Sequence, residues 1–184
     1  MQMQRTFSGT LQASAQFVVA PKISGRVKKL YVDLADSVTR GQVVAELDDE
    51  EYQQAVAQAE ADLAVSRANL EAAKSALEIA ERELARLDQL RKQGLTTDTE
   101  YDVARASQLA RQAEVEVARA NLRKAESALE TSRILLGYTR VKAEWADGRE
   151  LRVVGERYVD EGDTVSANAA LLRVVEPAPL MAGI

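Results

Sequence analysis

The side chains able to do chemistry are unevenly represented. The 184 residues carry 29 Asp+Glu and 24 Lys+Arg, but no Cys and no His. A thiol nucleophile, a disulfide framework, imidazole acid–base work and the usual zinc ligand sets are therefore excluded. Three methionines offer little to a soft metal. What remains is carboxylates, guanidiniums, ammoniums and hydroxyls, suited to ion pairing and helix capping. Two clusters have readable spacing. Thr97-Asp98-Thr99-Glu100 has the form of a capping box, in which a hydroxyl and a carboxylate satisfy each other's backbone N–H. Asp48-Asp49-Glu50-Glu51 places acidic groups at a second helix start, where the helix dipole favours them. Neither cluster is a catalytic constellation, and no cofactor is expected.

Global charge narrows the partners. A net charge of −5 opposes non-specific binding to nucleic acid or to anionic membrane. The absence of Cys leaves the redox compartment open. No run of about 18 apolar residues occurs, so no helix spanning a bilayer is expected. Met1 to Arg5 lacks the apolar stretch of a signal peptide, so an export signal, if the natural protein has one, is expected to lie outside this sequence.

These clusters need elements to hold them. Aromatics make up only 4% of the chain, while 31 residues are alanine, a composition that favours long helices. From Gln42 to Leu136 there is no proline and one glycine, Gly94. Within that stretch Val56, Leu63, Leu70, Leu77 and Leu84 recur every seven residues, beside Ala59, Ser66, Ala73, Ala80 and Leu87. Tyr101, Gln108, Val115, Leu122, Leu129 and Leu136 repeat the pattern, beside Ala104, Ala118, Ala125 and Ser132. A strict heptad predicts left-handed supercoiling, and the small residues let two backbones approach. Pairing Val56 with Leu136, Leu63 with Leu129, Leu70 with Leu122 and Leu77 with Val115 gives a constant index sum of 192. The fold-back therefore centres on residues 94–97, with Gly94 at the helix C′ position. The spacing predicts an antiparallel hairpin over 49–136 with arms of ~66 Å.

The flanking segments resemble each other. Tyr31-Val32-Asp33-Leu34-Ala35-Asp36-Ser37-Val38 aligns with Tyr158-Val159-Asp160-Glu161-Gly162-Asp163-Thr164-Val165 at an offset of 127. At the same offset Gly41 faces Asn168, two residue types that tolerate positive φ, which predicts a shared turn. Ala35 stands where Gly162 stands in the other half, so those two turns are expected to differ. Neither half can bury a sheet face alone, and together they suffice for one small β domain.

A split, pseudo-symmetric β domain resembles the biotinyl/lipoyl carrier fold, and the inserted hairpin makes the whole similar to the periplasmic adaptors, or membrane fusion proteins (HlyD-like), of tripartite efflux and secretion systems. Val19-Ala20-Pro21-Lys22-Ile23-Ser24-Gly25-Arg26-Val27, Leu136-Gly137-Tyr138-Thr139-Arg140-Val141 and Gly155-Glu156-Arg157-Tyr158-Val159-Asp160-Glu161-Gly162-Asp163-Thr164-Val165 carry the resemblance. The fold class implied is α+β: a long antiparallel coiled-coil hairpin inserted between the halves of a lipoyl-like domain, with remnants of an adjacent β-barrel. The lipoyl-like halves would be 18–48 and 137–176. Residues 1–17 and 177–184 would supply partial barrel strands, Thr6-Phe7-Ser8-Gly9-Thr10-Leu11-Gln12-Ala13 and Pro179-Leu180-Met181-Ala182-Gly183-Ile184. The rest of the barrel and a membrane-proximal domain are expected beyond a truncated sequence. Two departures stand out. Ala143-Glu144-Trp145-Ala146-Asp147-Gly148 replaces the family's Ala-Pro-x-x-Gly, followed by an extra Arg149-Glu150-Leu151-Arg152. Trp145 reads either as a cap on the β core or as a lateral contact between protomers.

Family members that dock on TolC-like outer-membrane channels carry Arg, three residues, Leu, six residues, then Ser at the tip. Arg86, Leu90 and Thr97 reproduce that spacing, with Thr in place of Ser. The resemblance implies a donor fork at Arg86, an apolar knob at Leu90, a hydroxyl at Thr97 and a second exposed knob at Leu95. The plainer reading stays beside it: Arg and Leu at this spacing are common in coiled coils, Thr97 serves as an N-cap, and Leu95 covers the turn. The resemblance further implies a non-enzymatic conduit subunit located in the periplasm and attached to the inner membrane. Its expected partners are an inner-membrane transporter, RND-type ranking first, a TolC-like channel, and copies of itself in a ring, expected to be a hexamer. An adaptor of an ABC-type, major-facilitator or type I secretion system is the alternative. A true lipoyl or biotin carrier needs an exposed lysine where the halves join, whereas Lys22, Lys28, Lys29 and Lys142 fall on strands or flanks. Glu78, Arg82, Arg119 and Arg123 read as zippers between neighbouring hairpins or as solvated charges.

Overall fold

The computed structural model describes residues 10–13, 16–146, 150–176 and 180–183. They divide into a β unit, up to Glu51 and from Ile134, and a helical unit, Tyr52–Arg133.

The β unit contains β1 (Thr10–Ala13), β2 (Gln16–Val19), β3 (Gly25–Leu30), β4 (Ser37–Thr39), β5 (Val43–Leu47), β6 (Arg140–Lys142), β7 (Leu151–Arg157), β8 (Thr164–Val165), β9 (Leu172–Val175) and β10 (Leu180–Gly183). Eight of them make two antiparallel four-stranded sheets, ordered β2-β9-β7-β4 and β6-β5-β3-β8. Each sheet takes strands from both halves of the chain, so neither half owns a complete sheet. Alternating apolar residues turn inward, as period-two side-chain geometry requires. Val19, Val38, Val154, Leu172 and Val174 from one sheet meet Val27, Val44, Leu47, Val141 and Val165 from the other in one buried cluster. Trp145 belongs to this core, 6% exposed, with the Arg152 guanidinium 4.8 Å from its ring centre. That placement favours the cap over the lateral contact.

The internal symmetry is closer than the residue types suggest. Gly41 and Asn168 both have positive φ, 81° and 64°. Ala35 and Gly162 also share it, at 68° and 96°, which corrects the expectation of unlike turns. The Asp36 carboxylate accepts the Asp33 N–H at 2.7 Å, and Asp163 accepts that of Asp160 at 2.8 Å. The same side-chain bond shapes both turns.

Outside the sheets, β1 and β10 pair antiparallel, Thr10 against Gly183 through Ala13 against Leu180. The remainder of the expected barrel strands, residues 6–9, 179 and 184, lies outside the described residues, as do Asp147, Gly148 and Arg149 of the extra stretch. No closed barrel forms among the described residues.

Two helices follow from the heptads: α1 (Glu50–Lys92) and α2 (Asp98–Tyr138), 43 and 41 residues long. At the start of α1 the Asp48 carboxylate accepts the Glu50 N–H at 3.3 Å. In the helical unit Ala59, Leu63 and Leu129 are buried together, with Val56, Leu122 and Ala125 packed on them. Leu70 and Val115 are buried as well, whereas Leu77 and Leu84 are half-buried. Leu136, at the far end of α2, is half-buried in the β unit. Glu60 and Arg133 bridge the arms at 2.8 Å.

Candidate functional site at the hairpin tip

The fold-back is closed by two backbone motifs. Gly94 sits at φ 72°, a conformation that costs a glycine least. Its N–H donates to the Arg91 carbonyl at 3.0 Å, and the Leu95 N–H donates to the Leu90 carbonyl at 2.9 Å. These are the paired bonds of a Schellman ending, which satisfy the last carbonyls of α1. On the other side, the Glu100 N–H donates to Thr97 Oγ1 at 3.2 Å while the Thr97 N–H donates to Glu100 Oε2 at 2.9 Å. The Thr97 and Thr96 hydroxyls donate to the same carboxylate oxygen at 2.9 and 2.6 Å. This charge-assisted convergence, led by the Thr96 hydroxyl, holds the Glu100 carboxyl down at about 2.

Each of the four expected docking residues can now be placed. Leu95 is 68% exposed, so it stands out from the turn rather than covering it. Leu90 is half-buried. Arg86 is exposed, but its fork is occupied: Nε and Nη2 donate to the two Glu83 oxygens at 2.9 and 2.6 Å. That pairing raises the Arg86 pKa and lowers that of Glu83. The Thr97 hydroxyl proton is committed to the Glu100 carboxylate, and the hydroxyl oxygen accepts the Glu100 N–H.

Reasoning from spacing missed a further cluster. Arg91 Nε lies 2.8 Å from Asp98 Oδ1, and its guanidinium sits 4.6 Å from the centre of the Tyr101 ring. The contacts join the last turn of α1 to the first turn of α2. The signal was present in the sequence as a basic residue seven positions before an acidic one and ten before an aromatic one. Such separations face each other only once the turn geometry is known. Among the described residues no group of three His, Cys, Asp or Glu is arranged to hold a metal ion.

Known proteins share both the hairpin and the exchanged-strand β unit. The family description "RND MFP, alpha-helical hairpin domain" matches residues 62–139. The multidrug resistance protein MdtA of Cronobacter turicensis is 31% identical over 159 residues, covering 86% of this chain and 34% of that protein. MdtA of Escherichia coli is 30% identical over the same length and coverage. The crystal structure of MacA from Actinobacillus actinomycetemcomitans superposes with a TM-score of 0.85 at 27% identity, covering 94% of this chain and 52% of that one. The chain is thus a homologue of MdtA and MacA that carries, over residues 62–139, the hairpin domain of the RND membrane fusion proteins. It spans about a third of the length of the curated relatives it matches. Within the described residues no helix is long and apolar enough to cross a membrane.

Proposed function

We propose that this chain is the hairpin-bearing part of a periplasmic adaptor that links an inner-membrane transporter of the RND class to a TolC-like outer-membrane channel. The tip, through Arg86, Leu90, Leu95 and Thr97, docks on the channel. Copies stand side by side as a funnel, six to the ring, and the longer protein is attached to the inner membrane. Energy comes from the transporter, so the chain contributes geometry alone. Residues 18–48 and 137–176 are the lipoyl-like domain in whose sequence the 49–136 hairpin is inserted, and 1–17 with 177–184 correspond to partial barrel strands.

The observation that carries the reading is Leu95. It is an apolar side chain, 68% exposed, on a turn fastened on both sides by hydrogen bonds, so a partner's apolar surface can cover it without the turn rearranging. The hairpin family match and the multidrug resistance relatives support the same direction. Arg86→Ala with Leu90→Ala should abolish cross-linking of the tip to its channel while leaving helical circular dichroism unchanged. Wild-type efflux from the same double variant in the longer protein would overturn the assignment.

A further inference from the structure

The two backbone motifs at the tip lock different pieces. The Schellman ending ties the Leu95 N–H back to α1 through the Leu90 carbonyl. The capping box ties Thr96 and Thr97 forward to α2 through Glu100. The peptide joining Leu95 to Thr96 therefore lies between two separately fastened segments. Arg91 reaches across that joint to Asp98 at 2.8 Å and to the Tyr101 ring at 4.6 Å.

We infer that Arg91 is a positioning residue of the tip: by bridging the last turn of α1 to the first turn of α2, it sets the pose in which Leu95 is presented to the channel. The inference rests on the docking reading above. Arg91 acts through Leu95 and does not itself contact the partner. A guanidinium suits this task because it is planar: its edge pairs with a carboxylate while its face stacks on a ring. Lysine, a point charge on a flexible stem, offers no such edge and face. The bridge is additional to the bonds that close the turn, so its consequence is orientation rather than turn formation. Arg86 differs, since its fork points to Glu83 within its own helix. Fixing an exposed apolar knob before contact lowers the ordering cost of binding, which appears as slower dissociation.

The test uses the full chain with selectively methyl-labelled leucine and a detergent-solubilised TolC-type channel as probe. Arg91→Gln should lower the methyl order parameter of Leu95 and weaken channel binding about fivefold to tenfold, mostly in the off-rate. Tyr101→Phe, which keeps the ring face, should change neither, and Arg91→Lys should rescue neither fully. Arg91→Asp combined with Asp98→Arg should recover part of the Leu95 order that each single change removes. Weaker binding by Arg91→Gln with Leu95 order unchanged would make Arg91 a direct contact and overturn the inference, as would no change in either readout. Leu95→Ala binding as tightly as wild type would instead sink the docking reading, and the Leu95 order in Arg91→Gln would still decide whether Arg91 sets the tip.

Discussion

Ala35 and Gly162 occupy equivalent left-handed positions, 127 residues apart, and each clips its turn onto the opposite half of the chain. The Ala35 N–H donates to the Val154 carbonyl at 3.0 Å, and the Gly162 N–H donates to the Val27 carbonyl at 2.8 Å. The reciprocal bonds follow, from the Val154 N–H to Asp36 and from the Val27 N–H to Asp163. Val27 and Val154 are themselves related by the same offset. The exchange of turns is thus the backbone counterpart of the exchange of strands between sheets.

Because two bonds depend on each left-handed residue, Ala35 tolerates strain that glycine would not feel. Gly162→Ala should therefore cost about 1 kcal/mol, the penalty of a β-carbon at positive φ. Space is not the obstacle, since an added β-carbon at Gly162 would meet nothing nearer than Arg26 Nη2 at 3.6 Å. Ala35→Gly should be neutral to stabilising by up to about 1 kcal/mol, strain relief being partly offset by unfolded-state entropy. Denaturant midpoints of the two variants check this. A destabilised Ala35→Gly would break the argument.

How far residues alone could lead is visible in these positions. The heptad rows located the hairpin, its turn and the Leu63 to Leu129 pairing, because side-chain periodicity is a local property of a helix. The offset of 127 revealed two similar halves but not that their strands interleave, since strand order is a long-range choice invisible to local pattern. It also misjudged Ala35, where the clip to Val154 outweighs the residue's own preference. At the tip, Gly94, Thr97 and Glu100 were legible because capping spacing is short. The engagement of Arg86 by Glu83, and the clamp of Arg91 on Asp98 and Tyr101, depend on which of several charged neighbours wins a rotamer.

The capping box has a definite acid response. The Glu100 carboxyl is held at about 2, well below the value it has in an unfolded chain. A group depressed on folding stabilises fully above its unfolded pKa and loses that contribution as pH falls through its folded value. The stability gap between wild type and Glu100→Gln should therefore be largest above about pH 4.5 and shrink toward pH 2. Thr97→Ala removes the hydroxyl partner and should cost about 1 kcal/mol at neutral pH. Parallel unfolding curves at several pH values test both, and a gap that widens on acidification would contradict the assigned direction.

Glu83 restrains the fork that the docking reading assigns to the channel. Both groups are largely exposed, at 48% for Glu83 and 59% for Arg86, so solvent screens their attraction and the pair is weak. Releasing Arg86 should then help it reach carbonyls or carboxylates on a partner. Glu83→Gln is expected to tighten channel binding about twofold to fivefold, and Arg86→Gln to loosen it. The Glu83→Gln gain should shrink in high salt. Looser binding by Glu83→Gln would mean that the ion pair, rather than free Arg86, is the recognised feature.

Packing along the hairpin is uneven, and the tip should be the softer end. Leu63, Leu70, Val115 and Leu129 are buried to 7%, 7%, 5% and 6% exposure, while Leu77, Leu84 and Leu87 nearer the turn are only half-buried. A large-to-small change costs the transfer term plus the cavity that remains, so its size follows burial. Leu63→Ala or Leu129→Ala should destabilise the hairpin by about 2–4 kcal/mol, and Leu84→Ala by about half as much. Hydrogen exchange should show amides near Leu84 and Leu87 opening at lower free energy than those near Leu63, because local opening tracks buried apolar contact. Such a gradient would explain why the tip is fastened by so many side chains, Arg91, Asp98, Thr96, Thr97 and Glu100 among them: the coiled-coil core thins where a docking surface must keep its shape. Uniform protection along both arms would remove that explanation and leave the polar fastening without a mechanical role.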